Sequence, residues 1–411
     1  MNPQYVAFII PAFFLFLGIE YLIAIQKKKR DIFKFDSSVA NISVGIAERL
    51  LNLFVSASFY GMFYYVYEHF ALFRIPNTWP IWIILLLATD FVWYWYHRLG
   101  HEINFLWGAH IVHHQSEEFN YTVSARVTTM QAFIRNTFWC ILPFIGFNPT
   151  LIITISVLHA GYSFFTHTQL INKLGWFEYI IITPSHHRVH HSSNDKYLNK
   201  NYGDLFVFWD KLFGTFQKEE EKPVYGLTHP LKSYSFMWQH FHYYFEMIEA
   251  LKRASGFKNK LKIIVGPPDI MDQNIRPLLE RKFLPYKSYV VTTIRFKAYL
   301  TVQLAVSLTL LFFVAYYFSQ LNAIEKMSSI FLIILTLTNC GALLEQRKWN
   351  YHLEYIRLII LTAYLSYVVE SPVFFLLSLC FIALFASQES VKRGYYEFVY
   401  NSKEQVLKNI E

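Results

Sequence analysis

The sequence predicts an all-α fold: a polytopic membrane helical bundle whose cytoplasmic face carries a histidine-rich cap. Three observations lead there. Of 411 residues, 54% are hydrophobic and 19% aromatic against only 16% charged. Apolar runs of about 20 residues, the length that crosses roughly 30 Å of hydrocarbon, recur at both ends of the chain. Finally, nine of the sixteen histidines fall within two short windows, residues 97–114 and 186–191.

Taken in order, the first span runs from about Val6 to Ile25. Lys27-Lys28-Lys29-Arg30 follows it rather than precedes it, the pattern of an anchor and not of a cleaved signal. A second apolar stretch, about Val44 to Tyr67, carries the chain outward, and Glu68 to Pro80, with two prolines and only Arg74 as a basic residue, reads as an outer loop. Trp82 to Tyr96 returns inward with Asp90 embedded in it; an acid inside an apolar helix is costly and is usually paired or functional. Asp90 lies near enough to the helix end to partner a histidine. After a polar stretch over 101–131, two shorter runs, Thr137 to Phe147 and Thr150 to Phe165, are split by Asn148-Pro149 and form a helical hairpin. Residues 168–295 mix aromatics with lysine and arginine and read as an amphipathic cap on the inner membrane face. Four apolar runs close the chain, about Ala298 to Phe318, Ser329 to Leu344, Tyr355 to Val369 and Pro372 to Ala386.

The net charge of +8 does not point to nucleic acid, because the basic residues sit beside the apolar runs. The loop after the first span holds Lys27, Lys28, Lys29, Arg30 and Lys34, whereas the outer loops offer Arg74 and Lys326, which orients the histidines toward the cytoplasm. Cys140, Cys340 and Cys380 lie in apolar segments without CxxC spacing, so neither a disulfide framework nor a thiolate metal site is indicated. No glycine-rich nucleotide loop and no GxSxG is present. The division expected is 1–80 for N-terminal helices, 81–217 for the histidine-bearing domain, 218–295 for the amphipathic segment and 296–411 for C-terminal helices and tail.

The histidines form three groups: His97-x-x-x-His101, His110-x-x-His113-His114 and His187-x-x-His190-His191. Residues three and four apart share a helix face, about 5–6 Å between Cβ atoms, so each group can aim its imidazoles at one point. Any one of them alone could be an ordinary core or surface histidine. Neutral imidazole is the commonest protein metal ligand, and eight exceed what one ion needs, so two metal ions fit the count better. Two irons with open positions can activate O2 against an unactivated C–H bond, and a site at the membrane surface suggests a lipid substrate. His167 returns to the same side after the hairpin and is either a ligand or a helix-end histidine bonded to backbone. His186 faces away from its neighbours, and His69, His159, His229, His240, His242 and His352 read as structural. Glu102, at a helix end, is either solvated or functional.

These motifs, continued by Asn201-Tyr202-Gly203 and by Trp209-Asp210-Lys211-Leu212-Phe213-Gly214-Thr215-Phe216, resemble the fatty acid hydroxylase and sterol desaturase superfamily of membrane di-iron enzymes over about residues 85–217. Within it, HRLGHEINFLWGAHIVHHQSEEFNYTVSARV, THTQLINKLGWFEYI and TPSHHRVHHSSNDKYLNKNYGDLFVFWDKLFGTF are most similar to the branch that cleaves alkylglycerol ethers. The resemblance implies metal ligands at His97, His101, His110, His113, His114, His187, His190 and His191, with further ligands of the wider superfamily near His167, and an essential acid at Glu102. It also implies two Fe ions, O2 as co-substrate, a membrane lipid substrate, and tetrahydrobiopterin or another reductant as a separate electron donor. Alternatives left open are a sterol, hopanoid or fatty acyl hydroxylase or desaturase, and a histidine-rich metal-binding membrane protein without redox chemistry.

Overall fold

The structure, a computed structural model, describes residues 3–284, 293–347 and 349–400. Among these there is no strand, only two isolated bridges, Ile181 with Phe206 and Ser192 with Tyr225. Six helices among the described residues are long and apolar enough to cross a membrane: Gln4–Gln26, Phe35–Phe70, Trp79–Glu102, Pro149–Thr166, Ile294–Tyr316 and Ala323–Leu344. A further candidate is the pair Pro372–Ala386 and Glu389–Tyr400, bent by 78°. Part of the expected cap, residues 285–292, and the end of the expected C-terminal segment, residues 401–411, lie outside the described residues.

The Phe35–Phe70 helix organises the bundle. At 36 residues and 1.5 Å per residue it is about 54 Å long, more than a bilayer needs. Its apolar run begins near Val44, but the helix starts nine residues earlier, because its polar first turns bury against the histidine domain rather than meet water. There Asn41 donates to Thr122 Oγ1 (2.8 Å) and the Ser37 and Ser116 hydroxyls meet at 3.3 Å. Further along, Ile46 and Leu50 enter an apolar core with Leu300, Leu304, Leu337 and Leu343 of the C-terminal helices. Phe59 and Phe63 enter a second core with Leu85, Tyr96, Trp139 and Ile152 of the histidine domain.

Two sequence expectations change. The first arm of the hairpin starts at Thr129, not Thr137, and is broken into Thr129–Trp139 and Ile141–Ile145. It ends at Gly146, whose φ of +125° and close approach to the Phe73 carbonyl, 2.1 Å from where a Cβ would stand, admit glycine alone. The run read as Tyr355 to Val369 is the helix Asn350–Val368, which is not among the candidate spans. It carries Glu354 and Arg357, paired at 2.8 Å, and Arg357 also donates to Gln303 Oε1 (2.7 Å) while Asn339 donates to Glu354 (2.6 Å), so its polar side is spent on neighbouring helices.

Candidate metal centre

Four short stretches present the histidines. The last turns of the Trp79–Glu102 helix carry His97 and His101. The helix Asn104–His110 and the tight turn Ile111–His114 carry His110, His113 and His114. The Pro184–His190 helix, started by Thr183 and by Pro184 in its first turn, carries His187 and His190, with His191 closing it. His167 ends the Pro149–Thr166 helix. Helical spacing fixes the histidines within each stretch; only packing brings the stretches together.

All nine predicted metal histidines converge, and they divide into two groups. His97, His101, His110, His114 and His190 form one, and His113, His167, His187 and His191 the other, with the ligand atoms inside each group within 4.8 Å of one another. The convergent atoms are Nε2: those of His97 and His114 each lie 3.1 Å from His110 Nε2, and His167 Nε2 lies 3.2 Å from that of His113 and 2.9 Å from that of His187. His191 Nε2 is 3.1 Å from His187 Nε2. The groups abut, since His114 and His191 stack with ring centroids 4.4 Å apart.

The electrostatics favour cations at both positions. Burial, reinforced by mutual repulsion, pushes the pKa values of His110, His113, His114, His187, His190 and His191 well below the ordinary histidine range. Burial brings His167 down to about 4. At neutral pH these rings are uncharged and point lone pairs at one another, and the buried Nε2 atoms of His101 and His190 have no hydrogen-bond partner. A metal ion is the group that satisfies such a donor set, and no carboxylate or thiol joins either group among the described residues. The donor set therefore fits two all-imidazole metal ions.

Several rings are aimed from behind by backbone carbonyls, as metal-bound imidazoles usually are. The outer Nδ1 atoms of His97, His167 and His190 donate to the carbonyls of Tyr202 (2.8 Å), Ser163 (2.8 Å) and Lys200 (3.0 Å), and that of His113 to Arg126 (3.3 Å). The Asn201-Tyr202-Gly203 motif serves this purpose. Asp210 accepts from the amides of Tyr202 (2.7 Å) and Gly203 (2.9 Å), and a Cβ on Gly203 would stand 2.8 Å from both Asp210 Oδ2 and the Phe206 carbonyl. Asn201, at a φ of 56°, donates to the carbonyls of His186 (3.0 Å) and Gln217 (2.8 Å). His186 itself is buried, and its Nδ1 accepts from the Thr183 amide (3.3 Å), so it starts the helix rather than joining a group.

Asp90 does partner a histidine, but one that the sequence alone assigns to structure. His159 Nδ1 donates to Asp204 (2.8 Å) and lies 3.7 Å from Asp90. Asp90 accepts from the Leu205 and Phe206 amides and from Trp209 Nε1, at 3.0–3.1 Å. This knot fixes the turn that follows Gly203. Two other supports have no motif. Glu20, inside the first span, accepts from the Tyr121 amide (2.8 Å) and Thr168 Oγ1 (2.6 Å), and an acid within an apolar run was its available signal. Arg188 pairs with Glu219 through two bonds, 2.9 and 2.7 Å, and donates to the carbonyls of Thr168 and Ile171.

Glu102 joins neither group; it is paired with Arg98 at 2.8 Å. Glu118, Asn120 and Arg126 are buried, leaving Glu117 exposed. Arg126 is held by Val112, Asn41, Gln115 and Gln239 oxygens at 2.5–2.9 Å, and burial brings its pKa down to about 9.

Fold and site together define a membrane-embedded helical protein with two imidazole groups, fit to hold metal, at one end of its helices. The fatty acid hydroxylase family profile matches residues 82–215. The chain is 33% identical to alkylglycerol monooxygenase from Homo sapiens, over 86% of this chain and 81% of that protein, and 30% identical to alkylglycerol monooxygenase from Danio rerio, over 87% and 82%. It is also 27% identical to cholesterol 25-hydroxylase from Homo sapiens, over 32% of this chain and 50% of that protein. The chain belongs to the fatty acid hydroxylase family. No solved structure gives a significant match.

Proposed function

We propose that this protein is a di-iron monooxygenase that uses O2 to hydroxylate the carbon beside the ether oxygen of a membrane alkylglycerol. The observation that carries the reading is the division of nine imidazoles, eight of them buried and His101 half-buried, into two abutting groups, five and four. Similarity to two alkylglycerol monooxygenases over most of the chain supports the substrate. Two irons bound by these histidines would supply O2 activation.

The balance is one ether, one O2, two electrons and two protons giving a hemiacetal and one water. The hemiacetal then breaks its C–O bond to release a fatty aldehyde and glycerol. The ether carbon is the easier target, because the neighbouring oxygen lone pair stabilises electron deficiency as the C–H bond weakens. The chain's own part is to bind, orient and keep dry. Trp107 packs on His101 (4.9 Å), and Phe119 stacks on His167 (5.6 Å) and on Tyr225 (4.9 Å). Glu102, one residue beyond His101, is the proposed acid. The basic run Lys27–Arg30 supports a cytoplasmic histidine end, and in this reading the electrons come from a separate reductant, a tetrahydropterin.

Iron-loaded protein in nanodiscs, given an alkylglycerol, O2 and reduced pterin, should release fatty aldehyde. Turnover of a sterol or fatty acyl substrate by a preparation that makes no aldehyde would move the reading to the broader hydroxylase class.

A further inference from the structure

His113 and His114 are neighbours in one tight turn, Ile111–His114, yet they serve different imidazole groups. A turn this short has few hydrogen bonds of its own and poor ones, so the direction of each ring has to be set from outside. For His167, in the same group as His113, the outer Nδ1 donates to Ser163 of its own helix at 2.8 Å. The outer Nδ1 of His113 donates instead to the carbonyl of Arg126, 13 residues along the chain, at 3.3 Å.

Arg126 returns the contact. Its Nε donates to the carbonyl of Val112 (2.8 Å), the residue immediately before His113. The turn, the imidazole, the Arg126 carbonyl and the Arg126 side chain thus close one ring around a single histidine. The rest of the guanidinium is fixed by three side-chain amide oxygens. Nη1 donates to Asn41 Oδ1 (2.8 Å), and Nη2 to Gln115 Oε1 (2.5 Å) and Gln239 Oε1 (2.9 Å). Asn41 lies on the Phe35–Phe70 helix and Gln239 on the helix Phe236–Arg253, so the fork ties the turn to two long helices. All four acceptors are neutral, and Arg126 is only 3% exposed. Burying a cation is costly unless its hydrogen bonds are made, and a rigid fork that reaches several acceptors at once is what a guanidinium offers and an ammonium does not.

We propose that Arg126 is a positioning residue of the metal centre, clamping the Ile111–His114 turn so that His113 faces His167 while His114 faces His190. His113 Nε2 lies 3.2 Å from His167 Nε2, and the His114 and His190 ring centroids are 4.8 Å apart. This role rests on the reading of His113 as a metal ligand. Because the ring closes on His113 alone, the clamp governs the four-imidazole group rather than both.

Full-length protein in nanodiscs, titrated with cobalt(II), gives an affinity and visible bands for each ion. Arg126→Lys keeps the buried charge and loses the fork; Arg126→Met loses both. Each should weaken one of the two ions about 10- to 100-fold, the range for groups behind metal ligands, and shift that ion's bands, with the other ion unchanged. Asn41→Ala is the control for a merely structural role. It removes a different bond to the guanidinium and should lower Tm, but it leaves the ring around His113 closed, so both ions should keep their affinity and bands. Unchanged cobalt binding in both Arg126 variants overturns the clamp, and so does equal weakening of both ions that follows Tm and is reproduced by Asn41→Ala. Should Arg126→Met not fold, Arg126→Lys decides alone. His113→Ala separates the two levels: wild-type binding of both ions by that variant would remove the ligand reading itself, whereas loss of one ion there, with no effect at Arg126, would remove only the clamp.

Discussion

His114 and His191 stack face to face, 4.4 Å between ring centroids and 25° between planes, and each belongs to a different imidazole group. The two metal positions therefore share a wall made of two of their own ligands. Displacing either ring removes a ligand from one group and the packing that orients a ligand of the other.

Metal stoichiometry follows from this division. Wild-type protein should bind two ions per chain, and His190→Ala or His187→Ala, each within one group, should lower this toward one. His114→Ala and His191→Ala, on the shared wall, should lower it further. Elemental analysis of purified variants measures this, and activity should fall more than about 100-fold in each, since even the groups behind metal ligands commonly cost 10–100-fold. His69→Ala and His352→Ala, both exposed, should stay within about 0.5 kcal/mol of wild type; several dispensable histidines among the nine would sink the assignment.

Acid should destabilise the metal-free protein. His167 is brought by burial from the ordinary 6.5 to about 4. Between those values the unfolded chain binds a proton that the folded chain refuses, so stability rises with pH across this window and is lost as pH falls below 6.5. Each such imidazole contributes about 1.4 kcal/mol per pH unit. Thermal melts of chelator-stripped protein between pH 7.5 and 5 should show a steep fall in Tm; a flat profile would contradict neutral, buried rings.

Arg188 and Glu219 tie the third histidine motif to the 168–171 segment. Burial alone would raise the Glu219 pKa, yet hydrogen bonds and charge from Arg188, with Ser185, hold it below its usual value. Glu219→Gln should cost about 2–3 kcal/mol, short of the 3–5 kcal/mol for a fully buried pair, because Glu219 is partly exposed. The check is a melting curve together with metal retention; unchanged values in both would show the pair to be incidental.

Topology can be read directly. Asn77 precedes the Trp79–Glu102 helix and Asn194 follows the last histidine motif. Single cysteines at these positions, in a chain whose three native cysteines are serine, should react with impermeant reagent from opposite sides of the membrane, Asn194 from the cytoplasm. Reaction of both from one side would overturn the orientation.

The sequence by itself determined the helical class, most of the spans and the identity of eight of the nine convergent histidines, and left His167 open. Each of these is a local property: apolar length for a span, helical spacing for an i, i+3, i+4 group. It could not say how the rings divide. His113 and His114 are adjacent in the chain yet serve different groups, because the tight turn at Ile111–His114 turns His114 toward His190 and His113 toward His167. Nor could it find the supports. Glu20 acts on Thr168 across 148 residues, and Asp90 on Trp209 across 119, so no short pattern encodes either contact. The early start of the Phe35–Phe70 helix belongs here too, since its polar first turns are helical only because residues 116–126 bury them. Spacing fixes what one helix can offer; packing of distant helices decides what each side chain meets.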